Sequence, residues 1–285
     1  MSVRVVCDST ADLDAAFLEA HNVEVVPLKV IIGEEEYRDG IDITPAQLYA
    51  RMRQDGVAAR TSQPTPMDFE SVFRAATDSG DSVVCTTISS ELSGTFASAT
   101  QARQMLEDRD IRVVDSRSVA VGHYAIAAAA VRAAERGASA SDVVAALERA
   151  VRDTTLLFTV ETLEYLRRGG RIGGARALLG SMLDVKPILK MREGRIEPID
   201  RVRTYRRALD ACAAAAEQAA SEWGGALAFI GHADAEAAAE SVAGRLSEYE
   251  PPVTVTTVEV GPVIGVHGGP GAVGVAFHPP LSPDD

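Results

Sequence analysis

Lysine is nearly missing from this 285-residue chain. Lys29, Lys186 and Lys190 are the only three, and arginine supplies the rest of the 28 basic side chains. Against 41 acidic side chains the net charge is −13, which argues against a broad surface for nucleic acid or an anionic membrane. Cysteine is scarce as well. Cys7, Cys85 and Cys212 are odd in number, widely spaced and form no C-x-x-C. A disulfide framework or a zinc ribbon is therefore not expected, and a reducing cytoplasm fits. Cys7 and Cys85 end apolar runs and read as small buried residues. No apolar run reaches the roughly 18 residues of a membrane span. The opening MSVRVVCDST reads as a strand and not as a signal peptide. Three motif absences narrow the chemistry. There is no G-x-x-x-x-G-K-[ST] for a phosphate-loop NTPase, no G-x-G-x-x-G after the first strand for nicotinamide binding, and no G-x-S-x-G elbow for an α/β-hydrolase. His21, His123, His232, His267 and His278 share no ligand spacing, so no metal site is expected. Internal repeats are absent.

What is present is punctuation. A hydrophobic fraction of 46% is enough for a proper core, in one large domain or two modest ones. The first half alternates β-branched runs such as VRVVCD, DSVVC and IRVVDS with stretches that begin on helix-capping residues. Thr44-Pro45 and Thr65-Pro66 are N-cap pairs with proline at the first helical position. One or two strands with a turn at Gly33 are expected over VEVVPLKVIIGEEEYRDG. This βαβα order predicts a parallel sheet covered by helices. In such sheets ligands bind beyond the carboxyl ends of the strands. The polar pieces DST, TSQPTP, TTISSELSGT and DSRS all fall there, so they are expected on one edge.

The second half is patterned as α+β. It opens with a strand, a short helix that breaks at paired glycines, and an apolar helix. Two strands joined at REGR, a long alanine-rich helix, and a strand–helix pair follow. Two or three strands are then expected around a glycine-rich turn in VTVTTVEVGPVIGVHGGPGAVGVAF. The expected fold is α/β. A Rossmann-like parallel-sheet domain spans residues 1–153 and an α+β domain spans residues 154–285.

The densest group of hydroxyls is TTISSELSGT. A helix start offers free N–H groups and the positive end of a dipole, so it can hold an anion without lysine. Ser93, Gly94 and Thr95 suit that role, with Gly94 admitting an oxygen close to the backbone; plain capping by Ser90 or Ser93 is the simpler reading. Thr61 and Ser62, stiffened by the following prolines, form a second cluster open to the same two readings. His267, set among glycines, can meet a carboxylate, and His232 is a weaker candidate of the same kind. In LEYLRRGGRIGG, helix-end chemistry accounts for Arg167 and Arg168 better than for Arg171. ARALLGSMLDVKPIL reads as core or as the wall of a lipid cavity.

In that order, CDSTADL, YRDGIDIT, TSQPTP, SSELSGTFASA, VVDSRSVAVG, LEYLRRGGRI, LLGSMLDVKPIL, RVRT and GPVIGVHGGPGAVGVAF resemble the DegV family of bacterial fatty-acid-binding proteins. That family includes the lipid-binding subunits of fatty acid kinase. The resemblance runs nearly end to end. It implies one long-chain fatty acid as ligand between the two domains, its acyl chain in an apolar tunnel mostly in the C-terminal domain, and no cofactor. By matching positions, the carboxylate falls on Thr61, Ser62, Ser93, Gly94, Thr95 and His267. Arg171 falls near the mouth, where it orders the site or docks a partner. A non-catalytic carrier is implied, one that presents its lipid to a separate ATP-dependent kinase subunit. The acyl phosphate formed there would pass to an acyltransferase of phospholipid synthesis, with at most transient membrane contact. Several donors offset the cost of burying a carboxylate, and each buried CH₂ contributes roughly 0.8 kcal/mol. The sequence departs from the family pattern at three places. DLDAAF lacks a proline common there, Gly268 stands where threonine is frequent, and His123 stands where a small residue is common and could narrow or re-aim the cavity. Two other readings stand beside the carrier. One is a serine hydrolase or acyltransferase with Ser93, His267 and Asp115; the other is a sensor of another anionic small molecule.

Overall fold

The computed structural model describes residues 2–55, 59–179 and 185–280. Four parallel strands open the fold. They are β1 (Val3–Asp8), β2 (Glu24–Val26), β6 (Ser82–Thr87) and β7 (Ile111–Asp115), in the order β2-β1-β6-β7. Both faces of this sheet are covered. Val6, Val83 and Cys85 pack with Phe69 and Phe73 of α3 (Pro66–Asp78) and Ala99 and Ala102 of α4 (Thr95–Gln104). The alternate residues Val5 and Val84 pack with Ile126 and Val131 of α5 (Val121–Glu135) and Val143 and Leu147 of α6 (Ala140–Asp153). Burial on both faces is why these strands read as unbroken apolar runs.

Between β2 and α3 lies a small antiparallel sheet in the order β4-β3-β5, made of β3 (Lys29–Ile32), β4 (Glu35–Arg38) and β5 (Ala59–Ser62). VEVVPLKVIIGEEEYRDG thus yields three strands, one more than expected, with Gly33 at positive φ in the turn between β3 and β4. The caps are where the sequence puts them. Thr44 and Gln47 exchange bonds at the start of α2 (Pro45–Asp55), and Thr65 and Asp68 form a capping box at the start of α3. DSTADL differs. Ser9–Ala11 is a single 3-10 turn, and α1 (Ala15–His21) begins afterwards with Asp14 as its cap.

The six-stranded sheet is drawn from residues 155–278, in the order β10-β9-β8-β13-β11-β12. Its strands are β8 (Thr155–Thr159), β9 (Lys186–Arg192), β10 (Arg195–Val202), β11 (Ala226–His232), β12 (Val253–Glu259) and β13 (Val273–His278). The outer face carries α8 (Tyr205–Trp223) and α9 (Glu236–Ser247); the inner face meets α5. Helix α5 touches β1 on one side and β8, β11 and β13 on the other, so it is buried almost all round. The chain is therefore a mixed α/β fold in which α5 separates the parallel sheet from the six-stranded one.

Two expectations fail in the second half. After α7 (Glu164–Arg168) the expected apolar helix is a 3-10 helix over Gly173–Leu178. GPVIGVHGG is not a strand turn but helix α10 (Pro262–Gly268), with His267 in its last turn. No neighbouring residue caps α10. Asp12 accepts from Gly261 N at 2.9 Å and Asp39 accepts from Val263 N at 3.0 Å, from positions 249 and 224 residues away.

Candidate functional site

The carboxyl ends of β1, β6 and β7 gather DST, TTISSELSGT and DSRS on one edge, as expected, whereas TSQPTP leaves β5 of the antiparallel sheet and meets that edge through Gln63. Asp8, at the end of β1, accepts from Thr10 N and from Ile88 N and so holds the start of the hydroxyl stretch. The hydroxyls then divide their work. Ser89 donates to Gly194 O at 2.7 Å, in the turn between β9 and β10, and Ser90 donates to Asp115 at 2.6 Å. Neither caps a helix. Helix α4 begins at Gly94, which has no side-chain cap of its own; Ser93 Oγ accepts from Thr95 N at 3.4 Å, so Ser93 and not Ser90 reaches the helix start. Ser93 and Thr95 share a hydrogen bond of 2.8 Å. A β-carbon on Gly94 would collide with the amide of Gln63, which itself donates to Ser98 at 3.0 Å. The oxygen that Gly94 admits is therefore that of Gln63, and it locks the TSQP loop against α4.

Beside this edge lies a cavity of about 860 Å³, counting its mouth. The cavity separates two apolar clusters, one containing Leu28, Val260 and Val263, the other Val121, Leu156, Leu166 and Ile196. Thr61, Ser93, Arg171 and His267 are the polar side chains on its wall. Four segments deliver them: β5, the loop before α4, the turn after α7 and the end of α10.

The four are positioned with few alternatives. Thr61 and His267 Nε2 lie 2.8 Å apart. His267 Nδ1 is buried without a hydrogen-bond partner. A β-carbon on Gly169 would strike that nitrogen, so the paired glycines of RRGGRIGG allow the imidazole to lie against the backbone. Arg171 Nε donates to Leu92 O at 2.9 Å and its Nη1 to Gly169 O at 2.6 Å, tying the loop before Ser93 to the turn beside His267. Burial, and then the Arg171 charge, pull His267 down to about 4, so the ring is neutral at pH 7. Tyr49 supports α10 from beneath. Its ring fills the space where a β-carbon of Gly265 would stand, and its hydroxyl donates to Val260 O at 3.2 Å.

Several expected residues lie elsewhere. Ser62, Gly94 and Thr95 are not on the wall, and strand alternation turns Ser62 to the face of β5 opposite Thr61. His123 does not narrow the cavity. It is fully buried and off the wall, its Nδ1 3.4 Å from Thr10 Oγ1. His232 ends β11, buried and off the wall. Arg167 and Arg168 both pair with Glu164, which answers for them locally. In ARALLGSMLDVKPIL, residues 180–184 lie outside the described ones; Ala175 and Leu189 are core and do not line the cavity. The wall draws on the first half more than expected, through Leu28, Ile88, Leu92 and Val119 to Val121. Asp12, Asp39 and Gly169 were not legible as site-forming, because their partners are remote in sequence.

The serine-hydrolase arrangement does not assemble. The partner of His267 Nε2 is Thr61 and not Ser93, and Asp115 holds Ser90 and the backbone of Arg117. Among the described residues no group of three or more His, Cys, Asp or Glu side chains is placed to hold a metal ion. None of the described helices is long and apolar enough to cross a membrane.

A family model described as "Uncharacterised protein, DegV family" matches residues 2–280. The chain belongs to the DegV family. A DegV domain-containing protein of Deinococcus radiodurans is 39% identical over 98% of this chain and 99% of its own length. Among solved structures, a DegV family protein from Thermus thermophilus, described by its fatty acid binding, superposes with a TM-score of 0.93 at 37% identity. The match covers 98% of this chain and all of that one. A stearic acid-binding protein from Eubacterium ventriosum superposes with a TM-score of 0.87 at 31% identity, over 97% of this chain and 98% of its own. The DegV fold thus carries fatty-acid binding in structures that this chain matches over nearly its whole length.

Proposed function

We propose that this protein binds one long-chain fatty acid, with the carboxylate at Thr61, Ser93, Arg171 and His267 and the acyl chain along the apolar wall. A single observation carries the reading: one cavity has four polar side chains and is otherwise apolar. Hydroxyl and imidazole donors can compensate a buried carboxylate, and Arg171 adds a positive charge nearby. Gly94 and Thr95 support Ser93 from behind. The apolar wall supplies affinity by burying methylenes. The two halves, residues 1–153 and 154–285, act as domains that close on the lipid; the six-stranded sheet, which draws on no residue before Thr155, supports that division.

The family resemblance extends the reading to a carrier without catalysis of its own. In that reading the protein presents its lipid to a separate ATP-dependent fatty acid kinase subunit, and the acyl phosphate passes to an acyltransferase. Mass spectrometry of an organic extract of the purified protein tests the ligand. A stoichiometric long-chain fatty acid is expected. Protein that carries none, and takes up neither palmitate nor oleate, sinks the reading in favour of another anionic small molecule. Kinase presentation is tested separately: loaded protein is mixed with a bacterial fatty acid kinase subunit and ATP, and acyl phosphate is sought.

A further inference from the structure

Two glycines face each other in the interior of the six-stranded sheet. Gly231 of β11 pairs with Gly274 of β13, and on the other side Gly274 pairs with Phe158 of β8. All three line the cavity. Glycine inside a strand costs stability and often marks a close approach to the backbone. Here the two positions differ in what stands over them. A β-carbon on Gly231 would sit 2.8 Å from Val121 Cγ1 and 3.0 Å from Val260 Cγ1, so the roof is already down. A β-carbon on Gly274 would meet Leu156 Cδ1 at 3.4 Å and Phe158 Cβ at 3.5 Å, which is ordinary contact on the cavity wall. Neither glycine is held at positive φ, so the backbone does not require glycine at either position.

The cavity also has a direction. His267 is in the last turn of α10, whereas Val260 stands just before its N-cap, Gly261. Seven positions along the chain separate them, roughly 10 Å at 1.5 Å per residue. Head group and methyl end are thus assigned to opposite ends of α10.

Resting on the fatty-acid reading, we propose that Gly274 and Val260 set the acyl chain length: the chain lies over the bare backbone of Gly274 and ends where Val121 and Val260 close onto Gly231. Close-packed walls do not yield, so carbons added to the wall displace carbons of the ligand. Gly274→Val should shorten the preferred chain by about two to four carbons, and Val260→Ala should lengthen it by about one or two.

The test loads each purified protein with an equimolar mixture of straight-chain acids from decanoate to eicosanoate and analyses the extract. Opposite shifts in the two variants are the expected result. Gly274→Ala should give a smaller shift of the same sign, which keeps the question answerable if the valine disturbs the fold. Gly244→Ala, on α9 with nothing within 4 Å of its added β-carbon, serves as the unshifted control. An unchanged distribution in both Gly274→Val and Val260→Ala overturns the length limit while leaving the carrier reading intact. Equal loss of every chain length in a folded Gly274→Val protein also overturns it, since the residue then guards the passage and not its end. Wild-type protein that retains no acid at all removes the carrier reading itself, and this inference with it.

Discussion

The two ends of helix α10 are buried in opposite ways. At its N-terminus two carboxylates from the first half of the chain, Asp12 and Asp39, cap the first turn. At its C-terminus a neutral imidazole, His267, faces the cavity beside Thr61 and Arg171. Burial raises Asp39 to about 6. Burial, and then the Asp39 charge, hold Asp12 well above the usual carboxylate range. Burial also lowers His267 to about 4. Desolvation always disfavours the charged form, so acids and bases move in opposite directions under the same cause. One end of the helix is fixed by groups that favour protonation in the fold, and the other by a group that resists it.

The comparison breaks most visibly at His267. Its pKa is lower folded than unfolded, so the unfolded chain binds the extra proton between about pH 6.5 and 4. The contribution is complete above pH 6.5 and lost as the pH falls through 4, a swing of at most about 3 kcal/mol. Urea unfolding of wild type and His267→Gln from pH 7 to pH 4 reads it. The stability difference between them should shift against the wild type in acid, and parallel curves would show that His267 is not buried neutral.

Asp39 gives the opposite sign. Its folded pKa lies above the unfolded one, so the fold binds the proton between about pH 4 and 6 and loses stability as the pH rises through that window. The swing is slightly smaller, again under about 3 kcal/mol. Asp39→Asn keeps an acceptor for Val263 N and removes the titration. Relative to wild type it should therefore gain stability as the pH climbs from 4 to 7. A difference that does not change with pH would mean that Asp39 is already ionised in the fold at pH 4.

These two ends also explain what the sequence could and could not tell. The caps of α2 and α3 are local, Thr44 with Gln47 and Thr65 with Asp68, and both helix starts are legible in the chain. The parallel strands are legible because both of their faces are buried. Helix α10 carries no local cap, and its VIGVH core is β-branched and glycine-rich, a composition that suits strands better. The side chains that accept from its first turn come from more than 200 residues away. The same remoteness hid Gly169, whose bare face is understood only once His267 lies against it. Helix-start chemistry, glycine context and the family motifs make Thr61, Ser93, Arg171 and His267 legible in the sequence. Ser62 fails for a reason a single strand supplies, the alternation of its side chains.

The hydrogen bond between Thr61 and His267 sharpens the contrast further. Thr61→Val preserves shape but leaves His267 Nε2 without its partner. A loss of about 1–2 kcal/mol in stability is expected. Fatty-acid affinity should weaken about tenfold, because a donor is lost at the polar end. Thermal unfolding and fatty-acid competition read the two quantities separately. Unchanged affinity alongside lowered stability would make Thr61 a support for His267 and not a contact of the carboxylate.

The smallest effects separate two neighbouring serines. Ser90 is exposed and bonded to Asp115, whereas Ser93 lies on the cavity wall with its hydroxyl against Thr95. Ser90→Ala should cost about 0.5–1 kcal/mol and leave lipid retention alone. Ser93→Ala should cost no more in stability but lower the fatty acid recovered in an organic extract. The two substitutions remove the same atom within one short loop, so a general loosening of the loop would move both readouts together. Retention that falls in Ser93→Ala alone identifies the hydroxyl that meets the carboxylate. Equal retention in both variants would leave the polar end to Thr61, Arg171 and His267, and would make the Ser93–Thr95 pair part of the loop's own architecture.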